Sequence, residues 1–211
     1  MGGNLPKQFM LLRDKPLLYY SVKTFLEAYD DLHAILVLPV AYTDMGQEII
    51  DAYFEKDRVR IMAGGDTRFQ SVKNGLKLVE DDSIVFVHDA ARCLASVALV
   101  HRCYETAVES GSAIPVITSK DSVRLMTDKG HEPVDRNKVI LLQTPQTFHS
   151  KILISAYQID YKDKYTDEAT VAEAYGLKVS LVEGEETNIK ITHPVDLLIA
   201  EKILEELGIG N

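Results

Sequence analysis

The chain has little with which to cross a membrane, cage a metal or wrap a nucleic acid. No apolar run in its 211 residues approaches the roughly 18 needed for a membrane span, and no secretory signal opens it. Lys and Arg number 23 against 32 Asp and Glu, a formal net charge of −9. A general nucleic-acid binder needs a dominant basic face and is excluded; local lysines and arginines still suffice for an anionic small molecule. The only cysteines, Cys93 and Cys103, have neither CxxC nor Cys/His ligand spacing, so they read as reduced thiols of a cytoplasmic protein, with a nucleophilic Cys93 as the sharper alternative. The six histidines show no HExxH or other metal spacing, so no zinc site is indicated. No GxGxxG follows a strand, which argues against a Rossmann dehydrogenase, and no Ser-His-Asp order is evident. Internal repeats and low-complexity runs are lacking too.

What is present suits one domain over 1–211 that buries a proper core, with 46% hydrophobic residues. Apolar spacing predicts helices over 17–29, 44–54, 68–79 and 96–109, and strands over 34–38, 59–62, 84–87 and 113–118. Strict alternation of this kind argues an α/β fold, a parallel sheet covered by helices on both faces. The alternation stops at about 120–146. There 122–126, 127–132 and 134–143 read as extended segments around a polar turn at Asp128-Lys129-Gly130, a protruding β-arm from which we expect a homodimer. Helices return at 150–159 and 167–175, the latter ended by Gly176. Strands come next at 179–182 and 188–191, then Thr192 and Pro194 open a last helix that runs to 208.

The centre of the pattern is Ile84-Val85-Phe86-Val87-His88-Asp89-Ala90-Ala91-Arg92. Four apolar residues read as a strand buried on both faces, and a parallel strand delivers its succeeding residues to the ligand-binding edge of its sheet. Ala90 and Ala91 allow close approach of a ligand, while Asp89 and Arg92 bring opposite charges; His88 reads as a buried, hydrogen-bonded residue. Gly64-Gly65-Asp66 comes after a strand and precedes a helix, so its N–H groups can meet an anion or a base edge. Asn188-Ile189-Lys190 enters a capped helix. Singly, Lys7, Arg68, Arg136 and Lys190 are no more than solvated charges. Converging on one edge, such groups suit phosphoryl or nucleotidyl transfer, which depends on positioning and charge stabilisation.

Six stretches occur in one order: Leu5-Pro6-Lys7-Gln8-Phe9, Gly64-Gly65-Asp66 to Ser71, Val87 to Arg92, Thr144-Pro145-Gln146, Thr166-Asp167-Glu168-Ala169 and Asn188-Ile189-Lys190. The series closely resembles the 2-C-methyl-D-erythritol 4-phosphate cytidylyltransferases of the non-mevalonate isoprenoid pathway, over essentially the whole chain. The resemblance implies a Rossmann-like, mostly parallel sheet of the nucleotide-diphospho-sugar transferase type. It implies that CTP and methylerythritol phosphate give the cytidine-diphosphate product and pyrophosphate, with Mg(2+) on the triphosphate. By position, Lys7 and Lys190 would stabilise transition-state charge. Gly65, Asp66 and Ser71 would bind cytosine, and Asp89 and Ala90 would meet the ribose and the metal region. Arg92 and Thr166 would face the acceptor. Ser122, Arg136 and Thr144 would reach from the arm into the partner's site, Ser122 standing where the family often has threonine.

One departure stands out. The resemblance places a central strand and a glycine-rich loop ahead of this chain, and Met1-Gly2-Gly3 looks like the tail of that loop. A chain truly starting at Met1 is expected to be unstable or inactive. Two other readings compete: a cytidylyltransferase for ribitol 5-phosphate or another polyol phosphate, and a non-catalytic nucleotide-binding homologue.

Overall fold

Periodicity in the first third of the chain translates directly into structure. A computed structural model describes residues 5–208; the stretch 1–3, with its resemblance to a loop tail, lies outside them. In chain order the elements are β1 (Leu11–Leu12), β2 (Lys15–Pro16), α1 (Leu17–Ala28), β3 (Ala34–Leu38), α2 (Thr43–Tyr53), β4 (Val59–Ala63), α3 (Arg68–Gly75) and β5 (Ile84–Val87). Then come α4 (Val97–Ser110), β6 (Ser112–Thr118), β7 (Val123–Thr127), β8 (Gly130–Val134), β9 (Ile140–Leu142) and β10 (Gln146–His149). The chain ends in α5 (Ser150–Ala156), α6 (Glu168–Ala174), β11 (Leu181–Glu183) and α7 (Pro194–Glu206). In α1, Leu18, Val22 and Phe25 recur at helical spacing, and Leu18 and Val22 pack with Leu36 and Leu38 of β3. The Ser96 hydroxyl caps α4 by accepting from the Leu99 N–H, and Gly111, at φ +83°, ends it.

The fold is α/β as expected, and its sheet is mixed. β11 and β6 are parallel, but β10 lies between β6 and β5 and is antiparallel to both, while β9 pairs antiparallel with β6. β10 is not among the strands expected from the sequence because it consists of Gln146, Thr147, Phe148 and His149, without an apolar run. The Gln146 side chain survives burial because tertiary bonds satisfy it: its amide donates to Asp167 and accepts from the Ala169 N–H. The expected strand at 188–191 is not one either. Ile191 donates a single N–H to the Ala91 carbonyl and Asn188 turns inward, so the segment is an extended loop. The N-cap of α7 is His193, not Thr192, whose own N–H and hydroxyl both donate to Asp196.

β3 and β4 form a separate parallel pair. Among the described residues, β3 pairs with β4 alone and β5 with β10 alone. A cavity of about 850 Å³ is lined by β3 and β5, by Leu18 and Phe25 of α1 and by Val72 of α3. All four β5 residues are therefore only half-buried, where burial on both faces is expected.

The arm is present as a hairpin. β7 and β8 pair antiparallel from Val123–Val134 to Thr127–Gly130, and Gly130 takes φ +127°, a conformation that favours glycine. Leu125 and Met126 on it are exposed.

Candidate active site

Where β5 ends, the chain turns sharply and the backbone carbonyls of the turn are held. The Arg92 N–H donates to the Asp89 carbonyl at 2.8 Å, the Ser21 hydroxyl of α1 donates to the Ala90 carbonyl at 3.0 Å, and the Ile191 N–H donates to the Ala91 carbonyl at 2.8 Å. Beneath the turn, His88 has Nε2 2.9 Å from the Arg92 carbonyl and Nδ1 3.1 Å from the Thr144 hydroxyl. Burial pushes the His88 imidazole down to about 4. It is therefore neutral near pH 7, donating through Nε2 and accepting at Nδ1 from Thr144, whose oxygen accepts the Asp89 N–H at 3.0 Å.

This fixed backbone aims the Asp89 side chain into a row of charges. Asp89 Oδ2 lies 2.7 Å from Lys190 Nζ, and Oδ1 lies 3.5 Å from an Arg68 nitrogen. Burial pushes the Asp89 carboxyl up, but Arg68 and then Lys190 outweigh it and hold the group below its ordinary range, as a carboxylate. Arg68 itself makes two charge-assisted bonds to Glu168, at 2.6 and 2.9 Å, and the Tyr157 hydroxyl donates to Glu168 at 3.0 Å. Glu168 is wholly buried; burial raises its carboxyl against the pull of the guanidinium. Lys7, on the short helical turn Lys7–Phe9, donates to the Thr192 carbonyl at 3.1 Å, which brings a second ammonium to the segment carrying Lys190.

The facing side is made of backbone. The Gly65 N–H donates to the Ser71 hydroxyl at 3.1 Å, and that hydroxyl donates to the Thr67 carbonyl, so the glycine turn is folded onto the first turn of α3. A Cβ at Gly65 would fall 2.2 Å from Cγ and 2.6 Å from Cβ of Gln70, so no larger residue fits without a shift. Asp66 is exposed beside it. Ser71, Arg68, Asp89 and Ala90 all line the cavity between β3 and β5.

Of the expected residues, Lys190 meets Asp89, Lys7 meets the segment that carries Lys190, Ser71 holds Gly65 with Asp66 beside it, and Ser71, Asp89 and Ala90 line one cavity. Thr144 does not reach out of the arm: it is buried in its own subunit and its hydroxyl is engaged by His88 and Asp89. The expectation that Arg92 faces an acceptor phosphate meets a guanidinium turned inward. It donates to the Asn188 carbonyl at 2.7 Å and the Leu142 carbonyl at 3.4 Å, clasping β9 to the segment that bears Lys190. Thr166 is exposed next to the α6 cap Asp167; Ser122 and Arg136 are exposed at the foot of the hairpin, Arg136 donating to the Lys120 carbonyl at 3.1 Å. Sequence reasoning has Arg68 as one charge among several and Glu168 inside a motif, but does not pair them, and it misses Tyr157. Their signal is faint, an arginine at a helix start and a glutamate inside a capping stretch, because their meaning lies in meeting across 100 positions. Cys93 is no nucleophile: burial pushes its thiol, like that of Cys103, up to about 12.

A family model described as 2-C-methyl-D-erythritol 4-phosphate cytidylyltransferase matches residues 1–206. An enzyme of that name from Phocaeicola vulgatus is 43% identical over 204 residues, covering 97% of this chain and 93% of its own, and one from Porphyromonas gingivalis is 38% identical over 205 residues, covering 97% and 91%. The crystal structure of the Thermus thermophilus cytidylyltransferase superposes with a TM-score of 0.76 at 32% identity over 95% of this chain and 94% of its own. That of 4-diphosphocytidyl-2C-methyl-D-erythritol synthase from Anaerococcus prevotii reaches a TM-score of 0.84 at 27% identity, over 94% and 93%.

Proposed function

The chain belongs to the 2-C-methyl-D-erythritol 4-phosphate cytidylyltransferase family, and from that premise we propose how its own residues share the work. The reaction is a nucleotidyl transfer. A phosphate oxygen of 2-C-methyl-D-erythritol 4-phosphate attacks the α-phosphorus of CTP, the bond to the β-phosphate breaks, and 4-diphosphocytidyl-2-C-methyl-D-erythritol and pyrophosphate leave. Charge builds on the α-phosphate oxygens as this happens. Lys7 and Lys190 are the cations that meet it, and fixed cations of this kind supply most of the catalysis such a transfer requires.

The observation that carries this reading is the Lys190–Asp89 contact at 2.7 Å on a turn pinned from outside by Ser21, Thr144 and Ile191, with Lys7 bonded two residues from Lys190. Gly65, Ser71 and Asp66 take the cytosine, since an exposed glycine turn with short polar side chains leaves room for a base edge where a larger residue would block it. Asp89 and Ala90 take the ribose side, and Thr166 the acceptor. Ser122 and Arg136 belong to the arm, which we place across a twofold partner; exposed Leu125, Met126, Ile140 and Leu141 on and beside the hairpin support a homodimer.

Magnesium belongs to this reading as well. Among the described residues no group of three His, Cys, Asp or Glu could cage a metal. That arrangement suits an ion bound mainly by substrate phosphates and water with one or two carboxylates, and Asp89 is the residue to hold it. When bound, the ion neutralises triphosphate charge. No helix among the described residues is long and apolar enough to cross a membrane. The buried free thiols fit a reducing compartment, and we assign the chain to the cytoplasm.

Pyrophosphate release from CTP, measured with methylerythritol phosphate and ribitol 5-phosphate in parallel, tests the acceptor. The first is expected to be preferred; preference for ribitol phosphate overturns the assignment.

A further inference from the structure

Arg68 stands at the start of α3 and Glu168 at the start of α6, and the fold brings them together below the site. Both nitrogens of the Arg68 fork are engaged by the wholly buried Glu168 carboxylate, at 2.6 and 2.9 Å. The carboxylate is fixed in turn by the Tyr157 hydroxyl, and the Tyr157 ring stacks on Phe69 with centroids 4.7 Å apart. What remains of Arg68 for Asp89 is one long contact of 3.5 Å, and Asp89 keeps its other oxygen for Lys190.

A guanidinium is always charged and prefers a carboxylate that it can grip with two parallel bonds. Two carboxylates stand within its reach. Glu168 takes the two-point grip, so Asp89 is steered but not captured. Without the Glu168 charge, the same fork would close on Asp89 and draw it from Lys190. We propose that Glu168 is a positioning residue of the nucleotidyl transfer: by occupying Arg68 it sets the place of the Asp89 carboxylate against Lys190. This inference rests on the reading that Asp89 and Lys190 serve the reacting phosphates.

The rival is a pair that merely stabilises the core. Removing one partner of a buried ion pair destabilises strongly, whereas removing both charges together is often tolerated. The two roles therefore separate when Glu168→Gln and the paired variant Arg68→Gln/Glu168→Gln are each assayed well below their thermal midpoints, by steady-state kinetics of the full chain. Glu168→Gln is expected to lower both the midpoint and kcat, the latter at least about tenfold, as misplacement at a reacting centre does. KM for CTP is expected to stay within about threefold, since the base-binding turn is untouched. In the paired variant no fork is left to close on Asp89, so kcat rises back towards that of the parent together with the midpoint. A Glu168→Gln enzyme that keeps its kcat when assayed well below its midpoint, or a paired variant whose kcat stays as low as that of Glu168→Gln, overturns the proposal.

Combination with Asp89→Asn shows where Glu168 acts. Added to Asp89→Asn, Glu168→Gln is expected to cost less than about threefold more, because groups acting through one another are not additive. Full additivity overturns the proposal and leaves the reading of the site standing. An Asp89→Asn enzyme of normal kcat overturns that reading instead. Should Glu168→Gln fail to fold, Tyr157→Phe removes just the hydroxyl that holds Glu168. It is expected to lower kcat about twofold to fivefold at constant KM, by the usual scale of one lost hydrogen bond, and unchanged kcat overturns the proposal.

Discussion

The two walls of the site are built by opposite means. On one, the Gly64–Gly65 turn carries no side chain towards the cavity and is tied down through its own N–H groups, Gly64 to the Leu38 carbonyl and Gly65 to the Ser71 hydroxyl. On the other, four charged side chains grip each other in a row, Lys190 to Asp89 to Arg68 to Glu168, and the row ends in a buried carboxylate. A base is read by neutral hydrogen bonds at close range, which calls for small residues and an exposed turn. A phosphate in transfer changes its charge, which calls for cations whose positions are fixed beforehand by counter-charges. Shape is the property that matters on the first wall and fixed charge on the second.

Each wall can be broken in its own way, beginning with the largest effect. Beneath the charged wall, neutral His88 has its group pushed down to about 4 by burial, while in the unfolded chain it titrates near 6.5. The unfolded state therefore binds the extra proton first. Stability is whole above pH 6.5 and falls by about 3 kcal/mol as the pH drops from 6.5 to 4. Denaturant melts of the protein and of His88→Gln across that window should differ by this slope, and parallel curves would refute it. Lys190→Ala should lower kcat about a hundredfold, near 2.7 kcal/mol, with little change in KM for CTP. A loss smaller than about tenfold would remove Lys190 from the transition state.

On the backbone wall the signature should reverse. Gly65→Ala, forced against Gln70, is expected to raise KM for CTP about tenfold, or 1.4 kcal/mol, and to change kcat less. If Lys190→Ala and Gly65→Ala moved kcat and KM alike, the division between the walls would fail. The smallest effect belongs to the joint below them. Thr144→Val leaves the Asp89 N–H and His88 Nδ1 without their partner and should cost about 1 kcal/mol of stability. Calorimetric melting measures it.

Legibility of the fold tracks apolar periodicity. α1, β3, α2, β4, α4 and β6 lie within a residue or two of their expected places because each carries a stripe or a run that only one period satisfies. β10 is hidden because hydrogen bonds, not apolar area, offset its burial, and Asn188–Ile191 deceives because an inward-facing loop can look like a strand. The site divides in the same way. Lys7, Gly65, Asp89 and Lys190 are legible as local patterns at element ends. Arg68 with Glu168 is not, since pairing between distant helices leaves no spacing to read. Resemblance gives Thr144 and Arg92 outward roles, whereas their hydrogen bonds point inward.

The hairpin of β7 and β8 has a consequence for how the molecule can be watched. Its strands bond to each other with apolar Leu125 and Met126 left in the open, and two strands alone are marginal in water. Such a unit opens on its own, far below the free energy of global unfolding, unless a second surface closes over it. Trypsin, which cuts after arginine and lysine, has Arg124 and Lys129 within reach there. For the homodimer proposed above, the rate of that cut is a meter of assembly, expected to slow as protein concentration rises while the site at the end of β5 is untouched.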